Sequence, residues 1–472
     1  MTPARLQRQG GAALIIVLWV VALMGTIAMI YMGQTRLTLR INDNMNSNTR
    51  AELLAEAGIY RAMAILVQDR EMFGADHLQE TWNNNQAEFF DVPLGDGLYR
   101  VYHPNLNNQD QAQQYGAMDE CGKLNINEAS MEQLMQLPNM TEPIAAAIID
   151  WRDDNDEPEP NGAESNYYMT LPEPYEAKNA PFDSPAELLL VRDIDVQLLY
   201  GEDMNTNGML EINENDGDAR FPIDDSNGEL DMGWYPYITT FSQAPNIDQN
   251  GEPRINLNEA SEDELQDALG DVLDDNTIED IVEAREDSEF ESITDLLTGT
   301  GGEEEQDEGG GQGGPGGGGP GGRGPGGGGP GGGEDEEDEG SGPIMNIEPF
   351  RQIVDRITVS GEDQLAGRIN INTAPETVLR CLLPNNPQTV EAILAYRQNN
   401  GTGFTDIGGL FDVQGVNQDI FVEVADQISV KSSVFSVRAA GQIERNNALK
   451  EKYAVIDRSE DPPQILFWKS IQ

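Results

Sequence analysis

The feature that most constrains the fold is an apolar stretch near the start of the chain. No charged residue occurs from Ala12 to Gly33, and a helix needs about 20 apolar residues to cross the hydrocarbon core of a membrane. Arg5 and Arg8 precede the stretch, which favours a cytoplasmic N-terminus. A secretory signal peptide is the alternative, but its apolar core spans only about 7–15 residues and a small-residue cleavage site closes it. We therefore predict one membrane-spanning helix over residues 12–33, with most of the chain beyond the membrane.

The helical pattern continues past the apolar stretch. Over residues 34–70, small and apolar residues recur at spacings of three and four: Ala51, Ala55, Gly58, Ile59, Ala62 and Leu66. This spacing places them on one face of a helix. We predict one long helix whose first half lies in lipid and whose second half packs on a soluble domain, which is how pilins are built.

The start of the chain resembles the K-type minor pseudopilins of type II secretion systems, the GspK family. The resemblance rests on Arg8-Gln-Gly-Gly11, the apolar run after it, and Ala55-Glu-Ala-Gly58. It implies that residues 1–11 are a leader, that a prepilin peptidase cuts between Gly11 and Ala12, and that Ala12 becomes a methylated N-terminus. Most pilins carry glutamate at the fifth mature position. Here that position is Ile16, and the missing acid is itself typical of the K-type member.

The resemblance also implies a fold, a location and a function. The fold is α+β and pilin-like: the long N-terminal transmembrane helix packs on an antiparallel sheet, and a large α-helical domain is inserted. The chain would be a single-pass protein of the inner membrane with a periplasmic bulk, located at the tip of the pseudopilus. There it would initiate assembly with other minor pseudopilins, GspI and GspJ, for export of folded proteins across the outer membrane. A minor pilin of a type IV pilus is the alternative within the same class of assemblies.

Alternating segments flank the predicted insertion. Residues 89–102 form two β-prone runs around Gly95-Asp-Gly97, which indicates a hairpin. Three further runs, 434–439, 449–456 and 464–468, indicate antiparallel strands near the end of the chain. We therefore assign residues 71–120 and 432–472 to the pilin sheet and residues 121–431 to the inserted domain.

An internal repeat runs through the predicted insertion. Leu124-Asn-Ile-Asn-Glu-Ala129 recurs in similar form from Ile255 and from Ile369. Each copy precedes two short helical patterns, and a segment that begins Ile-Thr or Ile-Ser closes each unit, at residues 238, 357 and 428. We place the repeats near residues 124–203, 255–298 and 369–431 and expect them to stack as helical pairs.

The repeat resembles the helix-hairpin-helix unit, which makes a membrane-anchored DNA-binding protein a further hypothesis. Those hairpins use a Gly-x-Gly turn that directs backbone N–H groups at phosphate. The corresponding turns, 137–140, 269–272 and 383–386, lack the two glycines. The chain has 84 acidic and 28 basic residues, a net charge of −56, and such a field repels nucleic acid. We predict that the chain binds no nucleic acid.

Residues 299–343 consist almost entirely of Gly, Pro, Glu and Asp. Such a composition cannot bury enough apolar surface to offset the entropy cost of ordering. We predict a disordered loop that interrupts the end of the second repeat. The resemblance to the family does not account for this loop.

A calcium-binding motif follows the first repeat. Residues 203–214 fit the D-x-[DN]-x-[DN]-G-x5-E pattern of calcium loops. The ligands would be the side chains of Asp203, Asn205, Asn207 and Glu214 and the carbonyl of Met209, with Leu210 anchoring the loop. The alternative is an Asn- and Gly-rich surface loop in an acidic protein. Segments 224–231 and 246–251 are partial echoes. Calcium binding by relatives strengthens the prediction of calcium as a cofactor, although not at these positions.

Other chemistry-bearing residues are few. His77 and His103 are the only histidines, and no serine or cysteine stands in a nucleophile motif, so we predict that the protein is not an enzyme. Cys121 and Cys381 are the only cysteines. In an oxidising periplasm they can form a disulfide, but the sequence does not show whether they lie close together. The sequence therefore leaves open whether the two cysteines form a disulfide or are free thiols.

Overall fold

The computed structural model describes residues 10–72, 74–107, 111–300 and 342–471. The α-helices are α1 (Gly10–Arg70), α2 (Gln86–Phe89), α3 (Met131–Leu134), α4 (Glu142–Arg152), α5 (Ser165–Tyr168), α6 (Val196–Tyr200), α7 (Glu262–Leu269), α8 (Asp275–Asp287), α9 (Asp295–Thr298), α10 (Ile347–Ile353), α11 (Glu376–Leu382), α12 (Pro387–Asn399) and α13 (Gln418–Val424). Short 3-10 helices span Pro185–Leu190, Ile212–Glu214, Gly217–Ala219, Tyr235–Tyr237, Ile407–Asp412 and Ala425–Gln427.

The strands form one large sheet and several two-stranded ladders. They are β1 (Val92–Leu94), β2 (Gly97–Pro104), β3 (Gln113–Gln114), β4 (Met118–Asp119), β5 (Leu124–Asn125), β6 (Ile238–Thr239), β7 (Gln243–Pro245), β8 (Ile255–Asn256), β9 (Ile357–Thr358), β10 (Gln364–Ala366), β11 (Ile369–Asn370), β12 (Ile428–Ser429), β13 (Val434–Ile443), β14 (Ala448–Asp457) and β15 (Gln464–Ile471). The large sheet has the order β1-β2-β13-β14-β15, with β3 beside β2 and β4 beside β13.

Helix α1 and the large sheet form the pilin-like part of the fold. The small residues predicted to face the sheet, Ala51, Ala55 and Ala62, are fully buried in α1. Strand β13 lies at the centre of the sheet, between β2 and β14, and all three pair antiparallel. Since β2 precedes the inserted domain and β13 follows it, the two ends of the chain share one sheet. The predicted pilin-like fold with a large inserted helical domain is confirmed.

The first half of α1 has no partner among the described residues. The segment Ala13–Arg70 contains a window of mean hydropathy 2.7 in which no residue is buried. Apolar side chains there are largely open to their surroundings, for example Leu14 at 68% and Trp19 at 74% exposure. Helix α1 is therefore long and apolar enough to cross a membrane. Residues 1–9 of the predicted leader lie outside the described residues.

Each repeat is a closed unit whose first and last segments pair. The opening Leu-Asn or Ile-Asn and the closing Ile-Thr or Ile-Ser form a parallel ladder of two residues on each side. These ladders join Leu124 to Ile238, Ile255 to Ile357 and Ile369 to Ile428. The repeated sequence therefore marks the two paired segments at which each helical unit begins and ends.

A second set of contacts is found in all three repeats and explains why the same residue types recur within each of them. The second asparagine of each opening exchanges two hydrogen bonds with the backbone of a phenylalanine, which fixes the far end of the unit. The pairs are Asn127 with Phe182, Asn258 with Phe290 and Asn372 with Phe404. An arginine in the last turn of the second helix donates to carbonyl oxygens of the opening. These donors are Arg152, Arg285 and Arg397. Because the acceptors are backbone groups, three sequences of different composition reach the same geometry.

The closing segments lie where the sequence placed them. The first unit closes at residues 238–239 and the second at residues 357–358, so both units run beyond the bounds near 203 and 298 that were given to their helical parts. The domain is also not purely helical, since β7 and β10 pair antiparallel between units. Residues 301–341 of the predicted disordered loop lie outside the described residues.

Candidate functional site: the acidic loop 203–214

The loop 203–214 closes around the carboxylate of Asp203. Its Oδ1 accepts a hydrogen bond from the Asn207 N–H at 2.9 Å, and its Oδ2 accepts one from the Gly208 N–H at 2.8 Å. Asn205 and Asn207 each accept from the backbone N–H two residues ahead. Gly208 has φ +70, a conformation that glycine adopts without strain. The first half of the motif is therefore a tight turn wrapped around its leading acid.

Four carboxylates converge on this loop. Glu214 is only 1% exposed, and its pKa is raised to about 7 by burial and by the negative charges of Asp203, Glu211 and Glu202. Burial likewise raises the pKa of Asp203 and of Glu202. Buried carboxylates that repel each other favour either protonation or a bound cation.

Two of these acids were missing from the sequence prediction. Glu211 lies 3.3 Å from the amide nitrogens of both Asn205 and Asn207, and it forms a reciprocal cap with Glu214. Glu202 directly precedes the motif and accepts from the Asp231 N–H at 3.2 Å. Glu211 is the ninth residue of the loop, a position that in calcium loops often coordinates the ion through water. Glu202 stands outside the pattern, and only the local density of acids pointed to it.

Leu210 does not anchor the loop, contrary to expectation: it is 38% exposed. The neighbouring Met209 is exposed as well. The loop is instead held against the pilin sheet. Arg438, on β13, donates to the Asn205 carbonyl at 2.8 Å and to the Thr206 carbonyl at 2.5 Å, while Gly208 packs directly against Pro104 at the end of β2. The helical domain and the pilin sheet therefore meet at this loop.

The two partial echoes of the motif have carboxylates that already serve as turn caps. Asp224 accepts from the N–H groups of Gly217 and Ser226, both at 2.8 Å. Asp248 accepts from the N–H groups of Asn250 at 2.8 Å and Glu252 at 2.9 Å. Both carboxylates cap turns of their own segments, as that of Asp203 caps the loop 203–214.

Two other groups of three carboxylates lie close together within the described part of the chain. Asp69, Asp76 and Glu80 form one group, and Asp150, Asp153 and Glu164 form the other. Arg458 forms ion pairs with both aspartates of the first group. That group borders a cavity of about 450 Å³ where the end of α1 meets the inserted domain. The second group has no such basic partner among the described ion pairs.

The remaining predicted residues occupy separate places. Cys121 and Cys381 are both buried free thiols, and Cys121 donates to the carbonyl of Gln243. Burial raises the pKa of Cys381 to about 12, which leaves it a poor nucleophile. Burial lowers the pKa of His103 to about 4, which keeps its imidazole neutral. Gly11 and Ala12 lie in the first turn of α1.

Comparison with known proteins gives a consistent family. The model of the family "Type II secretion system (T2SS), protein K" matches residues 104–200. A helix-hairpin-helix motif model matches residues 365–429, which is the third repeat. The crystal structure of the GspK-GspI-GspJ complex from the type 2 secretion system of enterotoxigenic Escherichia coli aligns with 93% of this chain and 99% of the matched chain, at 13% identity and a TM-score of 0.45.

Two curated relatives are similar in sequence. Type II secretion system protein K of Pectobacterium carotovorum subsp. carotovorum is 28% identical over 200 residues, and that of Klebsiella pneumoniae is 27% identical over 198 residues. Each alignment covers 40% of this chain and 60% of the relative. The first-domain match begins where β2 ends and extends into the first repeat, as far as residue 200. These matches support the type II secretion system protein K family for this chain.

Proposed function

We propose that the chain is a minor pseudopilin of a type II secretion machine. Helix α1 anchors it in the inner membrane, and the sheet and helical domain project into the periplasm. The two halves of α1 support this proposal. The apolar side chains of its first half are exposed, whereas the second half buries one face against the sheet. A subunit of this shape can pack by its bare half-helix against other subunits within the membrane.

We further propose a position at the tip, where the subunit initiates assembly and other subunits add beneath it. In pilins the glutamate at the fifth mature position is thought to pair with the N-terminal amine of the subunit above, and Ile16 cannot form that pair. An unpaired amine in lipid is costly, so a chain without the acid suits a place with no subunit above it. The helical domain, inserted between β4 and β13, would obstruct further stacking. The similarity to protein K relatives suggests GspI and GspJ as partners.

The repeat domain favours this function over the two alternatives. Ordinary minor pilins of type IV pili lack such an insertion. A DNA-binding role would need a hairpin that presents N–H groups to phosphate. In the third repeat α12 begins with Pro387 after Asn386, and proline has no N–H to offer. The surrounding charge is also unfavourable for a polyanion.

Processing by prepilin peptidase gives the first prediction. Replacing Gly11 with valine (Gly11→Val) removes the small residue before the cleavage point, so we expect the precursor to accumulate uncut and secretion to stop. The measurements are N-terminal sequencing of the chain and the amount of protein that the secretion system exports, in cells that lack their own copy of the gene. Gly10→Ala, at the neighbouring glycine, should be cut normally. A natural N-terminus at Met1, or undiminished secretion by the Gly11→Val chain, would contradict the proposal.

We also propose that the loop 203–214 binds calcium through Asp203, Asn205, Asn207, Glu214 and the carbonyl of Met209. Oxygen donors suit Ca²⁺, and the mutual repulsion of the acids would be relieved by a divalent cation. Because Arg438 and Pro104 hold the loop, calcium bound there would strengthen the joint between the helical domain and the sheet.

Calcium should therefore stabilise the protein. At a hundredfold excess over Kd, binding to the folded state alone adds about 2.7 kcal/mol to the free energy of unfolding, which thermal denaturation of the detergent-solubilised chain can measure. Glu214→Gln should lose most of the gain because it removes an anionic ligand. Glu229→Gln, an exposed acid in a neighbouring loop, should keep it.

The pH dependence offers a second check on the calcium loop. Without calcium, the raised pKa of Glu214, about 7, means that protonation favours the folded state. Stability should therefore fall as pH rises through 7, and calcium should oppose that fall because it stabilises the ionised form. If calcium leaves Tm unchanged at pH 8, the segment is an ordinary loop.

A further inference from the structure

The cavity between the end of α1 and the inserted domain has a lining of mixed character. Its volume is about 450 Å³. Three carboxylates line it, those of Asp69 at the end of α1 and of Asp76 and Glu80 in the segment that follows. The inserted domain adds apolar side chains, among them Pro245 of β7 and Ile247. Small-molecule sites combine apolar walls with a few polar groups in this way, so the lining suits a ligand with a polar head and an apolar stem.

The basic side chains that line this cavity are already engaged. Arg458 pairs with both aspartates. Arg70 donates to two backbone carbonyl oxygens, and Lys431 donates to a backbone carbonyl oxygen of the inserted domain. None of the described ion pairs includes Glu80. The third carboxylate therefore lines the cavity without a cation from the described residues.

Two acceptor oxygens of lining residues lack hydrogen-bond donors. Glu80 accepts from the His77 N–H at 3.0 Å and from the Trp82 Nε1–H at 2.7 Å, both at Oε2, so its Oε1 receives no hydrogen bond within the described structure. Asn246 also lines the cavity and is only 8% exposed. Its Nδ2 donates to backbone carbonyl oxygens, but its Oδ1 is buried without a partner among the described residues. Buried polar groups are nearly always paired, so both oxygens indicate a ligand that donates hydrogen bonds.

We propose that this cavity binds an organic cation, with an alkyl guanidinium or alkyl ammonium head beside Glu80 and its stem along Pro245 and Ile247. Such a head supplies both missing features, because it carries a positive charge for the carboxylate and several N–H donors for the acceptor oxygens. A metal ion fits less well. Asp69 and Asp76 already use carboxylate oxygens to bind Arg458, and an ion would leave most of the cavity unfilled.

The charges around Glu80 make the binding depend on pH. Besides the three bases, four acids line the cavity with it: Asp69 and Glu71 at the end of α1, Asp76 after them, and Asp363 just before β10. Burial raises the pKa of Glu80 to about 8, and the charges of Asp76 and Asp69 add to the effect, while burial lowers the pKa of the neighbouring His77 and keeps it neutral. Without a bound cation Glu80 is therefore largely protonated at neutral pH. Binding would release that proton, so affinity should rise on the order of tenfold for each pH unit below the pKa.

Calorimetry on the full-length chain in detergent, with excess calcium present so that metal sites are filled, tests the proposal. Butylguanidinium is compared with butylurea, which has nearly the same shape but no charge. We expect the cation to bind at least about tenfold more tightly, the factor for one charge-assisted hydrogen bond. N-acetylarginine amide carries the same head on a peptide unit. Equal binding by it would indicate an arginine side chain of a neighbouring subunit as the natural occupant, and binding by butylguanidinium alone would indicate a free cation.

A variant and the pH profile locate the cation. Glu80→Gln keeps an oxygen for the bonds from His77 and Trp82 but removes the charge, so it should weaken butylguanidinium binding by about tenfold and flatten the rise of affinity with pH. Glu279→Gln, at an exposed acid of α8, is the matched control and should change neither. Circular dichroism verifies folding, and the pH profile of the unaltered chain decides the matter even if Glu80→Gln does not fold. Absence of binding, equal binding of butylguanidinium and butylurea, or an affinity that does not rise with pH would overturn the proposal.

Discussion

Replacing Arg458 with methionine (Arg458→Met) is expected to lower the free energy of unfolding by about 3–5 kcal/mol, the usual effect of stranding buried charges. Arg458 is 5% exposed. Its guanidinium pairs with Asp69 at 2.7 Å and with Asp76, and it donates to the Leu66 carbonyl at 3.2 Å. Both aspartates are buried as well, so methionine would fill the space but leave two anions without a partner.

The position of Arg458 makes the loss structural as well as electrostatic. It follows β14, and its partners lie at the end of α1 and in the segment that leads out of it. Asp76 also accepts from the Ser432 N–H at 2.7 Å, just before β13. Arg458 therefore connects the end of α1, the sheet and the segment that leads from the inserted domain into β13.

Chemical denaturation of the variants measures this effect. Arg445→Met serves as control, because Arg445 forms its ion pair with Asp43 at the surface, where both side chains are largely exposed, and such pairs contribute at most about 1 kcal/mol. Adding Asp69→Asn and Asp76→Asn to the Arg458→Met chain should restore part of the loss. If Arg458→Met and Arg445→Met cost the same, the buried junction does not hold the domains together.

Replacing Gly441 with valine (Gly441→Val) is the second change with a large expected effect. Gly441 lies in β13 beneath α1, and a Cβ there would come within 2.0 Å of the Ala51 carbonyl oxygen and 2.6 Å of the Ala55 nitrogen. Both are backbone atoms of the helix, which cannot move without lifting the whole helix from the sheet. Overpacking usually costs about 1–3 kcal/mol, and a backbone clash places this change at or beyond the upper end.

Gly401→Val provides the comparison for Gly441→Val, because a Cβ at Gly401 meets open space and the side chain is equally branched. We expect it to leave Tm nearly unchanged, whereas Gly441→Val should lower Tm strongly and expose α1 to protease. Equal melting temperatures for the two variants would show that α1 does not rest on β13 as closely as the structure has it.

The sequence predicted the features that depend on local pattern. The apolar run and the small residues of α1 have helical periodicity, so the helix and its buried face could be read directly. The three openings from Leu124, Ile255 and Ile369 were visible because the same two asparagines recur in each. The role of these asparagines could not be predicted from the sequence, because Asn372 forms its hydrogen bonds with Phe404, which lies much later in the chain.

Contacts between segments that lie far apart in the chain could not be predicted either, because a local sequence pattern does not show which distant segments meet. The ion pair of Asp69 with Arg458 links the end of the first helix to the end of the β14 strand. The carboxylates of Asp150 and Glu164 come together only in the fold. Leu210 is exposed in a loop that is held to the sheet by Arg438, a contact that the local sequence does not show.

A subunit that caps the pseudopilus should carry its helical domain at one end of the assembled filament, which can be examined by locating that domain. An affinity tag in the segment 301–341 can be labelled with gold and viewed by electron microscopy on pseudopili assembled in cells. The proposed tip position predicts one label per filament, at one end, because Ile16 lacks the acid that would pair with a subunit above and the inserted domain would obstruct stacking. Labels distributed along the shaft would contradict it.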